Sequence, residues 1–247
     1  MASANLERTK VRWENPYKQR LTQHPGRIFC FDDFDADRRA VSMLCGGRSH
    51  IYGEIGSGSG NHMLALAVRH PDALFFGFEV RYKRAVRTIE KAQVLGVHNV
   101  FVCRTQGEFI DRIFAPAQLS GIYVNFPDPW DGKKKWKKNQ VLNLDFLSRS
   151  DALLHESGFI SIKTDHAGYF REFLRTVEDH GTFIPERRTE DLYTSKHIEG
   201  NIPSEFENLF RKKCMPICYT RLIRCQRRCA ALGHADAASE LREIAYG

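Results

Sequence analysis

Residues 50–62 read HIYGEIGSGSGNH, and this stretch decides the fold. A short run of β-branched and aromatic residues ends in three glycines at 56, 58 and 60, and apolar residues at helical spacing (Met63, Leu64, Ala67, Val68) begin directly after them. Strand, glycine turn and helix form the opening unit of a βαβ fold. Working outward, four more runs of strand character follow: ALFFGFEV (73–80), NVFVCR (99–104), GIYVNFP (121–127) and GFISIKTD (158–165). Between them Ala85, Ile89 and Ala92, then Leu142, Phe146, Leu147, Leu153 and Leu154, recur at helical intervals. Strands alternating with helices predict right-handed crossovers and an α/β fold, a doubly wound, mostly parallel sheet with helices on both faces.

Beyond residue 166 the sequence predicts a helix over HAGYFREFLRTVEDHG, an inserted polar loop from about 185 to 203 and a last strand in MPICYTRLIR. Residues 1–30 read as a basic arm, 31–224 as the α/β domain and 225–247 as a C-terminal helical extension. Apolar runs are short and broken by charge, so no membrane span is expected. The polar N-terminus lacks the apolar core of a secretory signal, which puts the expected location in the cytoplasm. Seven scattered cysteines fit reduced thiols. Cys214, Cys218, Cys225 and Cys229 are spaced C-x3-C-x6-C-x3-C, unlike a zinc knuckle, so no metal is expected. A net charge of +7 points to a polyanionic partner.

Glycines 56 and 58 permit positive φ and let a ligand approach backbone N–H groups at a helix N-terminus. Glu54 stands two residues ahead of the first glycine, and Glu79 ends the next strand, where a carboxylate can accept both hydroxyls of a ribose. An acid so close would repel a pyrophosphate. It suits a ligand with an ammonium group, and S-adenosylmethionine carries an ammonium, a sulfonium and a ribose.

Residues 125–138, NFPDPWDGKKKWKK, leave the fourth strand at the edge where ligands bind in open α/β sheets. Pro127 and Pro129 restrict the backbone on both sides of Asp128, holding its carboxylate near the reactive end of the cofactor. Lys133, Lys134, Lys135, Lys137 and Lys138 face only one nearby acid, Asp131, so a phosphate backbone is a natural counterion. Trp130 and Trp136 offer surfaces for unpaired bases.

Four motifs, EIGSGSG, FFGFEV, NFPDPW with its basic tail, and IKTD together with EGNIPSEFE, make residues 50–224 resemble the bacterial tRNA (guanine-N7)-methyltransferase family. The resemblance implies a Rossmann-like SAM-dependent methyltransferase fold and transfer of a methyl group to N7 of guanine 46 in the tRNA variable loop, by a monomer or homodimer. It also implies that Glu54, Gly56, Gly58, Glu79 and Asp128 bind the cofactor, with Asp128 catalytic. Asp165, Ser204, Glu205, Phe206 and Glu207 fall on substrate positions, Ser204 replacing a usual threonine. Gln106 stands where the family has an aspartate on the adenine. Gly132 stands where it has a lysine, whose contact is expected to pass to Lys133. Two rival readings remain: a SAM enzyme acting on a small molecule or protein, and a non-catalytic RNA-binding module on the same fold.

Overall fold

The computed structural model describes residues 15–130, 132 and 138–225. The chain runs α1 (Pro16–Leu21), β1 (Ile28–Phe29), α2 (Phe34–Cys45), β2 (Ile51–Ile55), α3 (Asn61–Arg69), β3 (Leu74–Phe78), α4 (Tyr82–Val94), β4 (Val100–Cys103), α5 (Ile110–Ile113) and β5 (Leu119–Asn125). It continues through α6 (Leu144–Leu153), β6 (Leu154–Thr164), α7 (Ala167–His180), β7 (Phe183–Thr189), α8 (Glu205–Lys212) and β8 (Cys218–Arg224). The strands form one sheet in the order β1-β4-β3-β2-β5-β6-β8-β7. All pairings from β1 to β6 are parallel, while β8 runs antiparallel to both β6 and β7.

Side-chain alternation sorts the core into two layers. Phe75, Val100 and Val102 face α3 and α4, whereas Phe76, Phe78 and Ile122 face α2, α5, α6 and α7. All five residues of β3 are buried, as a central parallel strand covered on both faces requires. Burying one such phenylalanine contributes about 1.5–3 kcal/mol. From β2 the chain winds outward through β3 to β4, then returns to place β5 on the other side of β2. The carboxyl ends of β2 and β5 therefore form the switch point, where an open sheet leaves a crevice.

The five expected strands, the helix after residue 166 and the last strand are all present. Two expectations are corrected. The start of the expected loop, residues 185–189, belongs to edge strand β7, paired to β8 with a register shift between Pro185 and Arg187. Its sequence, FIPERRT, has one buried residue. Proline and charge disguise it as a loop and are what an exposed edge needs to avoid pairing with other chains.

The expected N-terminal arm is also built into the domain where it is described. Asn15 caps α1 by accepting from Tyr17 N–H at 3.1 Å, and Arg20 of α1 pairs with Glu90 of α4. Arg27 donates to the carbonyls of Val97 and Val100 at 2.9 and 3.0 Å, which fixes β1 beside β4. The remaining arm, the 226–247 part of the C-terminal extension, Trp136 and Lys133, Lys134, Lys135 and Lys137 lie outside the described residues.

Gly60, the N-cap of α3, has φ of +75°, and a Cβ there would meet Thr88 Cγ2 at 2.4 Å. Gly47 has a similar φ of +72° but open space around it. Left-handed backbone alone costs about 1–2 kcal/mol for an L-residue. Gly60→Ala is therefore expected to destabilise the protein more than Gly47→Ala, by roughly 1–3 kcal/mol in urea unfolding.

Candidate active site

The turn after β2 is tied to the end of β3. Gly56 N–H and Ser57 N–H both donate to Phe78 O, at 3.0 and 3.1 Å. Gly56 has φ of +69° with no atom within 4 Å of a hypothetical Cβ, so its side toward the crevice is open. Ser57 is buried, and its hydroxyl oxygen has no hydrogen-bond partner among the described residues.

Glu54 points from β2 into this crevice and is 4% exposed. Asn125, at the end of β5, donates from Nδ2 to Glu54 Oε1 at 3.0 Å. His62, in the first turn of α3, brings Nδ1 to 3.1 Å from Oε2. The carboxylate sets the tautomer, with the proton on Nδ1. Asn125 Oδ1 is left buried without a partner among the described residues.

Glu79 lies two residues beyond Gly77, the register partner of Glu54. Its Oε1 accepts from Arg81 N–H at 2.8 Å and its Oε2 lies 3.6 Å from Arg84. Glu54, Gly56, Gly58, Ser57, Arg84, Asn125, Ser204 and Phe206 line one cleft. Two orphaned buried oxygens, a buried carboxylate and an open glycine cradle fit the amino-acid end of S-adenosylmethionine. An ammonium there would satisfy Glu54 and Asn125 Oδ1, and a carboxylate would find the Ser57 hydroxyl.

Asp128 is exposed beyond the same strand edge. Its loop is held at three points: Phe126 N–H donates to Lys163 O at 2.8 Å, Gln140 Nε2 donates to Pro129 O at 2.6 Å, and the Phe126 ring lies 5.4 Å from that of Phe210 in α8. Phe126 and Trp130 both adopt positive φ, at 55° and 47°, on either side of the Pro-Asp-Pro segment. The glycine turn and the proline-flanked aspartate thus leave adjacent strands at one end of the sheet. Gln106 is exposed after β4, ahead of a short 3₁₀ turn. Asp165 is half-buried after β6, and Gly132 and Lys138 are exposed.

The segment SEFE occupies the start of α8. Ser204 is its N-cap, accepting from Glu207 N–H at 3.1 Å, and Glu207 Oε2 accepts in return from Ser204 N–H at 3.3 Å. Glu205 and Phe206 are exposed on the first turn, with the Arg84 guanidinium 5.7 Å from the Phe206 ring centre.

Glu207, expected against the substrate, is fully enclosed. Its Oε1 accepts from Tyr193 Oη and Asn201 Nδ2, both at 2.7 Å, and Oε2 accepts from Lys163 Nζ at 2.9 Å. Lys163 completes its donors on Asn201 Oδ1 at 2.6 Å and Ile202 O at 2.9 Å. Burial opposes the charge on Glu207, but the Lys163 ammonium and the hydrogen bonds from Lys163, Tyr193 and Asn201 outweigh it and hold the carboxyl below its usual range. Burial pulls Lys163 down, with Glu207 acting against it. The Tyr193 hydroxyl is pushed up to about 12, by burial first and then by its bond to Glu207.

Sequence reading missed His62, Asn125, Lys163, Tyr193 and Asn201. A lysine inside the apolar run GFISIKTD was a usable signal, because a buried lysine must find an acid. Tyr193 comes from the polar connection, where nothing in the sequence marks it, and Asn201 lies inside the motif EGNIPSEFE without standing out as a partner for a buried acid.

Residues 48–219 match a family described as "Putative methyltransferase". A tRNA (guanine-N(7)-)-methyltransferase of Lachnoclostridium phytofermentans is 34% identical over 172 residues, covering 70% of this chain and 79% of that protein. One from Halalkalibacterium halodurans is 33% identical over 184 residues, covering 74% and 80%. The chain belongs to the tRNA (guanine-N7)-methyltransferase family. A bifunctional glycosyltransferase/methyltransferase of Fusobacterium nucleatum is 34% identical over 200 residues, 81% of this chain but only 31% of that protein, so the chain spans about a third of its length. Among solved structures, a 16S rRNA (adenine(1408)-N(1))-methyltransferase of Catenulisporales acidiphilia superposes with a TM-score of 0.51 at 14% identity, covering 76% of this chain and 90% of that one. The fold is that of Rossmann-like SAM-dependent methyltransferases. Among the described residues no helix is long and apolar enough to cross a membrane.

Because the folded pKa of Glu207 is depressed, its contribution to stability is complete above the unfolded value of 4.5 and is lost as pH falls through the folded value. Wild type should therefore lose melting temperature below about pH 4.5 faster than Lys163→Met/Glu207→Leu, which carries no such pair. Parallel pH curves would contradict the assignment. Glu207→Leu alone, leaving Lys163 buried without its countercharge, is expected to cost about 3–5 kcal/mol in unfolding free energy.

Proposed function

We propose that the protein transfers a methyl group from S-adenosylmethionine to N7 of a guanine in tRNA, at position 46 of the variable loop. The observation that carries this reading is the buried Glu54 carboxylate, which faces Asn125 and His62 across the switch point. Beside it, Asn125 Oδ1 and Ser57 Oγ lack partners. A desolvated acid next to an orphaned carbonyl oxygen is a receptor for an ammonium group. Glu79, one strand away, receives the ribose hydroxyls, and Gln106 borders the adenine. Such a substrate places the enzyme in the cytoplasm.

Guanine N7 presents an in-plane lone pair and has no proton to lose, so the site needs no strong base. When bound, S-adenosylmethionine supplies the methyl group, and its positive charge passes to the guanine ring as the carbon–sulfur bond breaks and the N7–carbon bond forms. Asp128, held by its flanking prolines and the Gln140 bond, lies beside the base and favours the charge that develops on it. Ser204 retains a hydroxyl proton to donate and, with Asp165, Glu205 and Phe206, orients the base. Glu207 acts one step back: it holds Ser204 and the first turn of α8 in place. Lys133, Lys134, Lys135, Lys137 and Lys138 hold phosphates beyond Asp128.

Incubation with labelled S-adenosylmethionine and unmodified tRNA is expected to yield 7-methylguanosine on nucleoside analysis. Label in a small molecule or protein instead would overturn the reading. Asp128→Ala is expected to keep tRNA affinity within about two-fold while single-turnover methyl transfer falls on the order of 100-fold. His62→Phe removes a donor that orients Glu54. It is expected to weaken S-adenosylhomocysteine on the order of ten-fold and leave 5′-methylthioadenosine, which has no ammonium, unchanged. Equal losses in calorimetry would make His62 a packing residue only.

A further inference from the structure

On the side of the cofactor cleft next to α4, a groove of about 640 Å³ runs between the start of α4 and the exposed face of α8. Its walls carry Lys83, Arg84, Arg87 and Lys212, with Phe206 and Leu209 between them and Glu205 as the one acid. It meets the cofactor cleft at Ser59, Asn61, Arg84, Glu205 and Phe206, which line both.

The cations on α4 are placed against the local electrostatics of the helix. Its first turn contains no acid, yet Arg81 is its N-cap and Lys83 and Arg84 follow within the turn. Cations are disfavoured at that end of a helix dipole. Lys83, Arg87 and Lys91 also stand four residues apart in one row, a spacing at which like charges repel. The Lys91 ammonium is held by donating to Asn61 Oδ1 at 2.6 Å and Ser59 O at 3.0 Å. The neighbouring acid, Glu90, is taken by Arg20, and Arg84 is used by Glu79.

Lys83, Arg87 and Lys212 are exposed, and none of them forms an ion pair among the described residues. Beside them Phe206 is 39% exposed and Leu209 45% exposed, apolar surface that a solvated charged face does not need. Lys83 lies 5.9 Å from the centre of the Tyr17 ring, and exposed cations without an acid partner, with a ring among them, are the surface a nucleic acid backbone with splayed bases fits.

We infer that this α4–α8 groove is an RNA-binding track, which takes the phosphodiester backbone where it leaves the cofactor cleft between α4 and α8. Lys83, Arg87 and Lys212 contact phosphates there, and Phe206 meets a base or sugar next to the target. The inference rests on the tRNA reading above and adds where the RNA runs.

The test is binding of unmodified tRNA as a function of salt, with S-adenosylhomocysteine affinity measured on each sample to report an intact cofactor cleft. Each phosphate contact contributes about 0.7–0.9 to the slope of log affinity against log salt. Lys83→Gln/Arg87→Gln/Lys212→Gln is expected to lower that slope by about 2–3 and leave S-adenosylhomocysteine binding as in wild type. Arg38→Gln/Arg39→Gln/Arg48→Gln removes the same charge from exposed sites on α2 and ahead of β2, and is expected to change the slope by less than about 1. An unchanged slope in the groove variant, or equal falls in both variants, overturns the track while leaving the tRNA reading in place. Absence of salt-dependent tRNA binding by the wild type overturns both.

Discussion

A carboxylate taken out of water must be met by donors or a cation, and at Glu54 this requirement organises the site. The penalty for an isolated buried charge is several kcal/mol. Glu54 offsets part of it with one neutral amide donor from β5 and one imidazole donor from α3. Those two partners come from the strand and helix that meet at the switch point, so the topology of the sheet brings them together. Among the described residues no lysine or arginine forms an ion pair with Glu54. Polar atoms of a ligand would complete the set at the orphaned oxygens of Asn125 and Ser57.

A second buried acid does the opposite job. Glu207 is saturated by Lys163, Tyr193, Asn201 and its own capping box, and in that state it is structural. It seats α8 so that Ser204 and Phe206 close the cleft. Lys163 also accepts, through its carbonyl, the N–H of Phe126, whose ring packs on Phe210. One lysine therefore ties together the end of β6, the loop bearing Asp128 and the helix over the cofactor cleft. An acid two residues ahead of a glycine turn and an acid three residues past a helix N-cap look alike in sequence. Their partners decide which one faces a ligand.

Much of the fold was legible because buried parallel strands read as continuous apolar runs, and β2 to β6 are of that kind. The placement of the glycine turn, Glu54, Glu79 and Asp128 at one edge of the sheet was legible because their spacing follows from the geometry of a switch point. Edge strand β7 was hidden because solvent exposure removes the apolar signal from a strand. Residues 15–30 were hidden because α1 has six residues and β1 has two, too few for a periodic pattern to show. The roles of Glu207, Tyr193 and Asn201 depend on contacts between segments 6 to 44 residues apart, which no local pattern encodes.

The central claim is that Glu54 and Asn125 are the receptor for an ammonium group. A crystal structure of the protein with S-adenosylhomocysteine tests it directly. The account predicts the ligand's amino group within hydrogen-bonding distance of Glu54 and of Asn125 Oδ1, with its ribose hydroxyls on Glu79. A ligand bound with its amino group turned away from Glu54, or seated elsewhere on the sheet, would contradict it.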